Sequence, residues 1–202
     1  MVDYKKLVPY ILKWEGGLVN DPIDRGGLTN KGITFETYTA LAQRVLGIAP
    51  TQANFRAMTK EQASLFVKYF FDIATGGNTV RSEQIAFILT NWHWGSGKGG
   101  LISFQKMLNQ KFGAGLKEDG VIGPKTVAVI NSLVSSRLYK EAIKWRADFF
   151  RAIAKNDPSQ NRFLKGWLNR LNDFVKLHPA PIAISTTLII GLGLLFFLTN
   201  RS

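Results

Sequence analysis

The chain has 202 residues, 46% of them hydrophobic and 20% charged, and no cysteine. This composition excludes a disordered or fibrous chain, a disulfide framework, a thiolate nucleophile and a cysteine-bound zinc or iron–sulfur site. The 26 Lys and Arg against 14 Asp and Glu leave a formal charge of +12, which predicts anionic partners such as a wall polymer or an acidic surface. Those positive residues are spread out, with no dense basic run, so nucleic acid is not expected as a partner.

Tyr4, Leu7, Val8, Ile11, Leu12 and Glu15 recur every three or four residues, the stripe of an amphipathic helix that Gly16-Gly17 stops. Leu18–Ile33 is glycine-rich and irregular, with room for a small β-hairpin. Thr34 caps a helix over Phe35–Leu46, and Thr59 with Gln62 has the form of a capping box opening a helix through about Ile73. Gly76-Gly77 marks a turn. Further helices are expected near Ser82–Trp94, Leu101–Lys111, Lys125–Ser135, Arg137–Lys155 and Asn161–Leu177, with a hinge or tight packing in the glycine-rich stretch Gly95–Gly100. The expected class is mainly α.

From Leu177 to Asn200 no residue carries a full charge, His178 aside. The 19-residue run Ala180–Leu198 is about 28 Å long as a helix, near the ~30 Å hydrocarbon thickness of a bilayer. Lys176 and Arg201 bracket it. This predicts one C-terminal transmembrane helix within residues 178–200 and a lipid bilayer as partner through residues 180–198. The N-terminus reads as neither signal peptide nor anchor, so the expectation is a single-pass protein with a C-terminal anchor.

Glu15 continues an apolar stripe, where a carboxylate is costly unless paired, protonated or used. Burial raises a carboxylate's pKa, which suits a general acid; a frayed helix end with Glu15 in water is the alternative. Asp21, Asp24, Thr29 and Asn30 follow on a chain that can fold back over it. Glycosidic hydrolysis needs one protonated carboxyl for the leaving oxygen and a second group to stabilise the sugar cation, attack it or position water. Asp21 or Asp24 can fill that second role. Their spacing does not fit a calcium loop of the EF-hand type.

Trp92, His93 and Trp94 could line a glycan groove, or one of the two tryptophans could be core. Trp145 and Trp167 read as packing. His93 and His178 are the only histidines, so no metal site and no zinc peptidase is expected. No phosphate-cradling glycine motif and no nucleophile elbow is present, and no cofactor is expected.

The run from Trp14 to Thr34, WEGGLVNDPIDRGGLTNKGIT, resembles the signature of the glycoside hydrolase family 108 muramidases, phage endolysins and secretion-associated enzymes that cut peptidoglycan. The resemblance implies a lysozyme-like fold, Glu15 as catalytic acid, and Asp21, Asp24, Gly26, Gly27 and Thr29 on the family's following motif. Downstream, Asp119–Thr126 resembles the Asp-Gly-x-Ile-Gly-Pro-x-Thr turn of the family's peptidoglycan-binding half, and Phe163–Arg170 its closing segment. Trp14 and Leu18 depart from the family, which often has histidine and tyrosine there. In the stretch TNWHWGSG, Asn91 falls where the family commonly has aspartate.

The expected organisation is a muramidase region over residues 1–97, a helical peptidoglycan-binding-like region over residues 98–176 packed on it, and the anchor, with the catalytic region facing the periplasm or carried in a membrane-containing virion. The expected catalytic residues are Glu15, Asp24, Asp21 and Thr29, with Asn30, Asn91, Trp92 and Trp94 binding substrate. The expected reaction is cleavage of the β-1,4 bond between N-acetylmuramic acid and N-acetylglucosamine, for phage lysis or wall penetration. A lytic transglycosylase acting on the same bond and a non-catalytic wall-binding membrane protein are the alternatives.

Overall fold

The computed structural model describes residues 2–14, 17–20 and 27–182. Helix α1 spans Val8–Lys13, with Pro9 in its first turn and a 3-10 turn over Tyr4–Lys6 before it. Proline favours a helix start because its missing N–H is not needed there, so the expected single stripe divides at Leu7. Leu7, Tyr10 and Ile11 are the buried face.

The expected hairpin is present and extended. Strands β1 (Leu18–Asn20), β2 (Leu28–Asn30) and β3 (Ile33–Thr34) form one antiparallel sheet in that order, with Val19 opposite Thr29 and Thr29 opposite Thr34. Lys31 and Gly32, at φ 48° and 77°, make the two-residue turn between β2 and β3. Positive φ at both central positions matches the right-handed twist of paired strands.

Helix α2 covers Phe35–Leu46, with the Thr34 hydroxyl accepting from the Thr37 amide. The short helix α3 (Gln52–Arg56), capped by Thr51, lacks the length to show a periodicity in sequence. Helix α4 (Lys60–Tyr69) starts on the expected capping box: the Gln62 amide donates to Thr59 Oγ1 at 3.2 Å and the Thr59 amide to Gln62 Oε1 at 2.9 Å. It runs on into a π-helical turn over Phe70–Ala74, closed by the Thr75 amide on the Phe70 carbonyl at 3.0 Å.

The two helices expected around Gly95–Gly100 are present and meet at a kink; together they are labelled α5 (Glu83–Phe112). Gly97 makes the bend at φ 51°, ψ −144°, a conformation open to glycine alone. Three residues on, a Cβ at Gly100 would collide with the carbonyl oxygen of Trp92. The glycine-rich stretch is therefore both hinge and close approach. Helices α6 (Pro124–Ser132), α7 (Ser135–Asn156) and α8 (Asn161–Leu177) complete the fold.

The turn at Asp119–Thr126 is held to α5 by one buried amide. Gln105 Oε1 accepts from the Gly120 amide at 2.6 Å, while its Nε2 donates to Asp119 Oδ1 at 3.2 Å and to the Val121 carbonyl at 3.0 Å. Gly120, at φ 71°, lies so close to Lys98 that no side chain fits.

Two clusters form the core. One joins α1, the π turn, α5, α7 and α8 through Leu7, Tyr10, Phe71, Phe104, Leu138 and Phe174. The other joins β3, α2, α3 and α4 through Ile33, Tyr38, Phe55 and Phe66. Leu12 and Trp94 touch both.

The membrane reading is corrected. The expected span over residues 180–198 lies outside the described residues from residue 183 onward. Its described start is in no regular element: α8 ends at Leu177, and Pro179–Ile182 follow in neither helix nor strand. Proline removes a backbone donor and its ring clashes with the preceding turn. Helix α8 itself is amphipathic, burying Leu171 and Phe174 while carrying Lys165, Arg170, Asp173 and Lys176. Among the described residues no helix is long and apolar enough to cross a membrane. The single-pass anchor within 178–200, the lipid partner and the periplasmic or virion placement built on it therefore have no support in any described helix.

The close approach in α5 sets a test. Gly100→Ala should lower unfolding free energy by about 1–3 kcal/mol, since backbone cannot yield as a side chain does. Thermal melts of the two proteins check it; an unchanged Tm would refute the packing at Trp92.

Candidate active site

Glu15, Asp21 and Asp24 lie outside the described residues, but the elements on either side of them are placed. Helix α1 delivers the chain to Trp14, β1 takes it up at Leu18, and β2 receives it again at Leu28. The connection between β1 and β2 thus contains both aspartates.

Helix α8 holds the end of α1. Asp173 Oδ2 accepts from Lys13 Nζ and from Trp14 Nε1, each at 2.9 Å. These two bonds hold the Asp173 carboxyl below its usual range. Trp14 stays 36% exposed, with the Lys13 ammonium 5.6 Å from its ring centroid. The two residues immediately before Glu15 are therefore tied to a helix some 160 residues away in sequence.

One turn back, Tyr10 anchors the same end from below. Its hydroxyl donates to the Arg170 carbonyl at 2.9 Å and interacts with the Asn91 side chain from α5. Burial pushes the Tyr10 hydroxyl far above its ordinary value, so it stays neutral. The Arg170 and Arg146 charges lie near enough to oppose that shift.

Arg146, on α7, is buried without a carboxylate in hydrogen-bond contact among the described residues. It donates to Ser96 Oγ at 2.9 Å, and its other terminal nitrogen has no partner. Its guanidinium carbon sits 4.5 Å from the Phe150 ring, 5.1 Å from Trp92 and 5.2 Å from Phe149. Desolvation, with the nearby Arg170 charge, pushes its pKa down to about 9. Aromatic faces supply the partial negative charge that an anion would normally provide.

The remaining expected site residues divide. Thr29 is half-buried on β2, with its hydroxyl donating to the Gly27 carbonyl at 3.1 Å. Asn91 is half-buried beside Tyr10. Trp94 is half-buried on the seam between the two core clusters, edge-on to Phe70 at 5.8 Å.

Two expectations are corrected. Trp92 is fully buried, packed edge-to-face on Phe104 at 5.4 Å beneath Arg146, and cannot stack on a glycan. Asn30 is 1% exposed, its Nδ2 donating to the Phe55 and Arg56 carbonyls at 2.7 and 3.3 Å. It ties the sheet to the end of α3 instead of meeting substrate.

Sequence reasoning missed Tyr10, Arg146 and Asp173. Arg146 left a signal: a cation on the apolar face Leu138, Tyr139, Ala142 of α7. Asp173 left none, because its partners are remote. Among the described residues no three His, Asp or Glu side chains gather as a metal site would require.

Residues 8–97 match the family model Glycosyl hydrolase 108, and residues 100–172 match Predicted Peptidoglycan domain. Among solved structures, Brucella abortus SagA resembles the chain with a TM-score of 0.65 and 27% identity, over 85% of this chain and 90% of that one. No curated protein matches in sequence. The chain is a glycoside hydrolase with an attached peptidoglycan domain, hence a peptidoglycan hydrolase.

Asp173→Ala should leave the fold largely intact, because a partly exposed ion pair contributes only about 0–1 kcal/mol. It should nevertheless reduce cleavage of peptidoglycan at least tenfold, since small misplacements of catalytic groups are costly in rate. Cleavage rates and melts on the same preparation test this; an activity loss that merely tracked a fallen Tm would refute it.

Burial also holds the His93 imidazole below its ordinary 6.5, against a hydrogen bond to the Gly97 backbone that pulls the other way. His178 is lowered by burial likewise. A histidine kept neutral in the fold stabilises fully above pH 6.5 and loses that contribution as pH falls through its folded value. Tm should therefore decline as pH falls below 6.5, less steeply in His93→Gln, as measured by melts across a descending pH series.

Proposed function

We propose that the chain is an N-acetylmuramidase, with Glu15 protonating the oxygen that leaves C1 of N-acetylmuramic acid in its β-1,4 link to N-acetylglucosamine. Asp24 or Asp21 stabilises the developing sugar cation, attacks it, or positions water. Thr29, whose hydroxyl proton is committed to Gly27, offers only its oxygen lone pairs and assists as an acceptor. Asn91 and Trp94 contact the glycan. Residues 8–97 are the catalytic region, and residues 100–172 hold the wall.

The observation that carries this reading is the pairing of a family 108 match with a peptidoglycan-domain match along one bent helix, α5. The anchoring of Trp14 and Lys13 to Asp173 supports it. A general acid can protonate a departing oxygen only if its backbone is held still. The Tyr10, Asn91 and Asp173 contacts hold the segment that leads into Glu15.

The test is mass spectrometry of purified peptidoglycan digested by the full chain, with Glu15→Gln beside it. Reducing N-acetylmuramic ends are expected, with the variant slowed about 10²–10⁴-fold, the usual worth of a general acid. Anhydromuramoyl ends would replace the muramidase with a transglycosylase. No cleavage by the folded parent would overturn the catalytic reading.

A further inference from the structure

We propose that a groove between α5 and α7, apart from the residues around the end of α1, binds the peptide-bearing sugar of a peptidoglycan strand through its carboxylates. This rests on peptidoglycan being the substrate, and it assigns a second, non-catalytic contact to the chain.

The groove has a volume of about 420 Å³. On α7 its wall is Trp145 and Phe149, four residues apart and so on one face. The Trp145 indole N–H donates to Ser103 Oγ at 3.0 Å across the groove. That bond satisfies the ring's only donor and fixes its orientation, so the groove is presented with a preset aromatic surface. On α5 the wall is Ile102 and Lys106, again four apart, with Lys111 about 7.5 Å further along the axis. At the Gly99 rim nothing lies within 4 Å of where a side chain would stand, so that end is open.

The charges are unevenly used. Asp148 Oδ2 accepts from Lys144 at 2.7 Å and its Oδ1 from Arg151 at 2.9 Å, so this acid is already matched by cations. Lys106 and Lys111 have no ion-pair partner among the described residues, and both are exposed. Two free ammonium groups beside an aromatic wall select a ligand with hydroxylated or aliphatic faces and at least two carboxylates. The muramic acid residue and its stem peptide carry both; a neutral chitin chain carries only the first. Glu141, also lining the groove without an ion pair, suits an amino group on the stem peptide. All lining residues but Gly99 fall within the peptidoglycan-domain match.

The experiment titrates the full chain, by calorimetry at low salt, with a purified disaccharide–tripeptide muropeptide and with neutral chitotetraose. The Lys106→Ala/Lys111→Ala variant is run alongside. Both lysines are exposed, so the variant should fold as the parent does. Muropeptide binding should weaken at least tenfold in the variant and fall with added salt, as exposed charge pairs do. Chitotetraose should bind the parent more weakly and be indifferent to the substitutions. Equal muropeptide affinity in parent and variant would overturn the groove, as would chitotetraose binding as tightly as muropeptide or no muropeptide binding at all. Glu15→Gln separates the two readings. Retained muropeptide binding in a parent that cuts no glycan would leave the groove standing and remove the muramidase. Normal cleavage with lysine-independent binding would do the reverse.

Discussion

The bend of α5 at Gly97 is the constraint on which the rest of the chain depends. Its backbone angles belong to glycine, and Gly100 then has to pass against the Trp92 carbonyl with no side chain of its own. The first half of the helix points Asn91 toward α1 and Trp94 toward α4; the second half supplies Phe104 and Leu108 to the core and Lys106 to the groove. Arg146 braces the bend from α7, bonded to Ser96 on one side and covered by three aromatic rings on the others. A guanidinium so enclosed is expensive to desolvate, and its lowered pKa records that expense. What it provides is orientation: the bend cannot straighten without exposing Arg146 or breaking its bond to Ser96.

From that bend the site is assembled in layers. Buried apolar residues of α1 set the axis of the helix; Tyr10 fixes its rotation against Arg170 and Asn91. Asp173 then fixes the last side chains before Glu15. The sheet is attached separately, through Asn30 on the carbonyls that end α3. The end of α1 and strand β2 are therefore each held by a rigid support, one from each core cluster.

Most of the local structure was legible in the sequence because it is written in local chemistry. The Thr34 and Thr59 caps, the end of α2 at Gly47 and the length of α8 follow from side chains within four residues of the backbone they serve. The glycine-rich stretch announced a hinge between two helices, and Gly97 is that hinge; which way the second helix turns depends on packing remote in sequence. Of the site, the motif from Trp14 to Thr34 was legible as a family resemblance, and the family model matches the same stretch, while the burial of Trp92 and Asn30 was not legible. Both are polar-capable residues in an apparently exposed motif, and only the packing of Phe104 and α3 against them decides otherwise. The membrane reading rested on composition alone and finds no support in any described helix.

Asp173 carries a consequence for how such a chain can be taken apart. The residue lies just beyond the peptidoglycan-domain match, yet it grips the two side chains that precede Glu15 in the hydrolase half. Although two family models tile the chain side by side, the halves are not interchangeable cassettes. Grafting a foreign wall-binding half onto residues 8–97 would preserve every residue of the hydrolase motif and still leave its helix untethered. In this architecture α8 is the closing strap of the enzyme, and inheritance of the two halves must be joint.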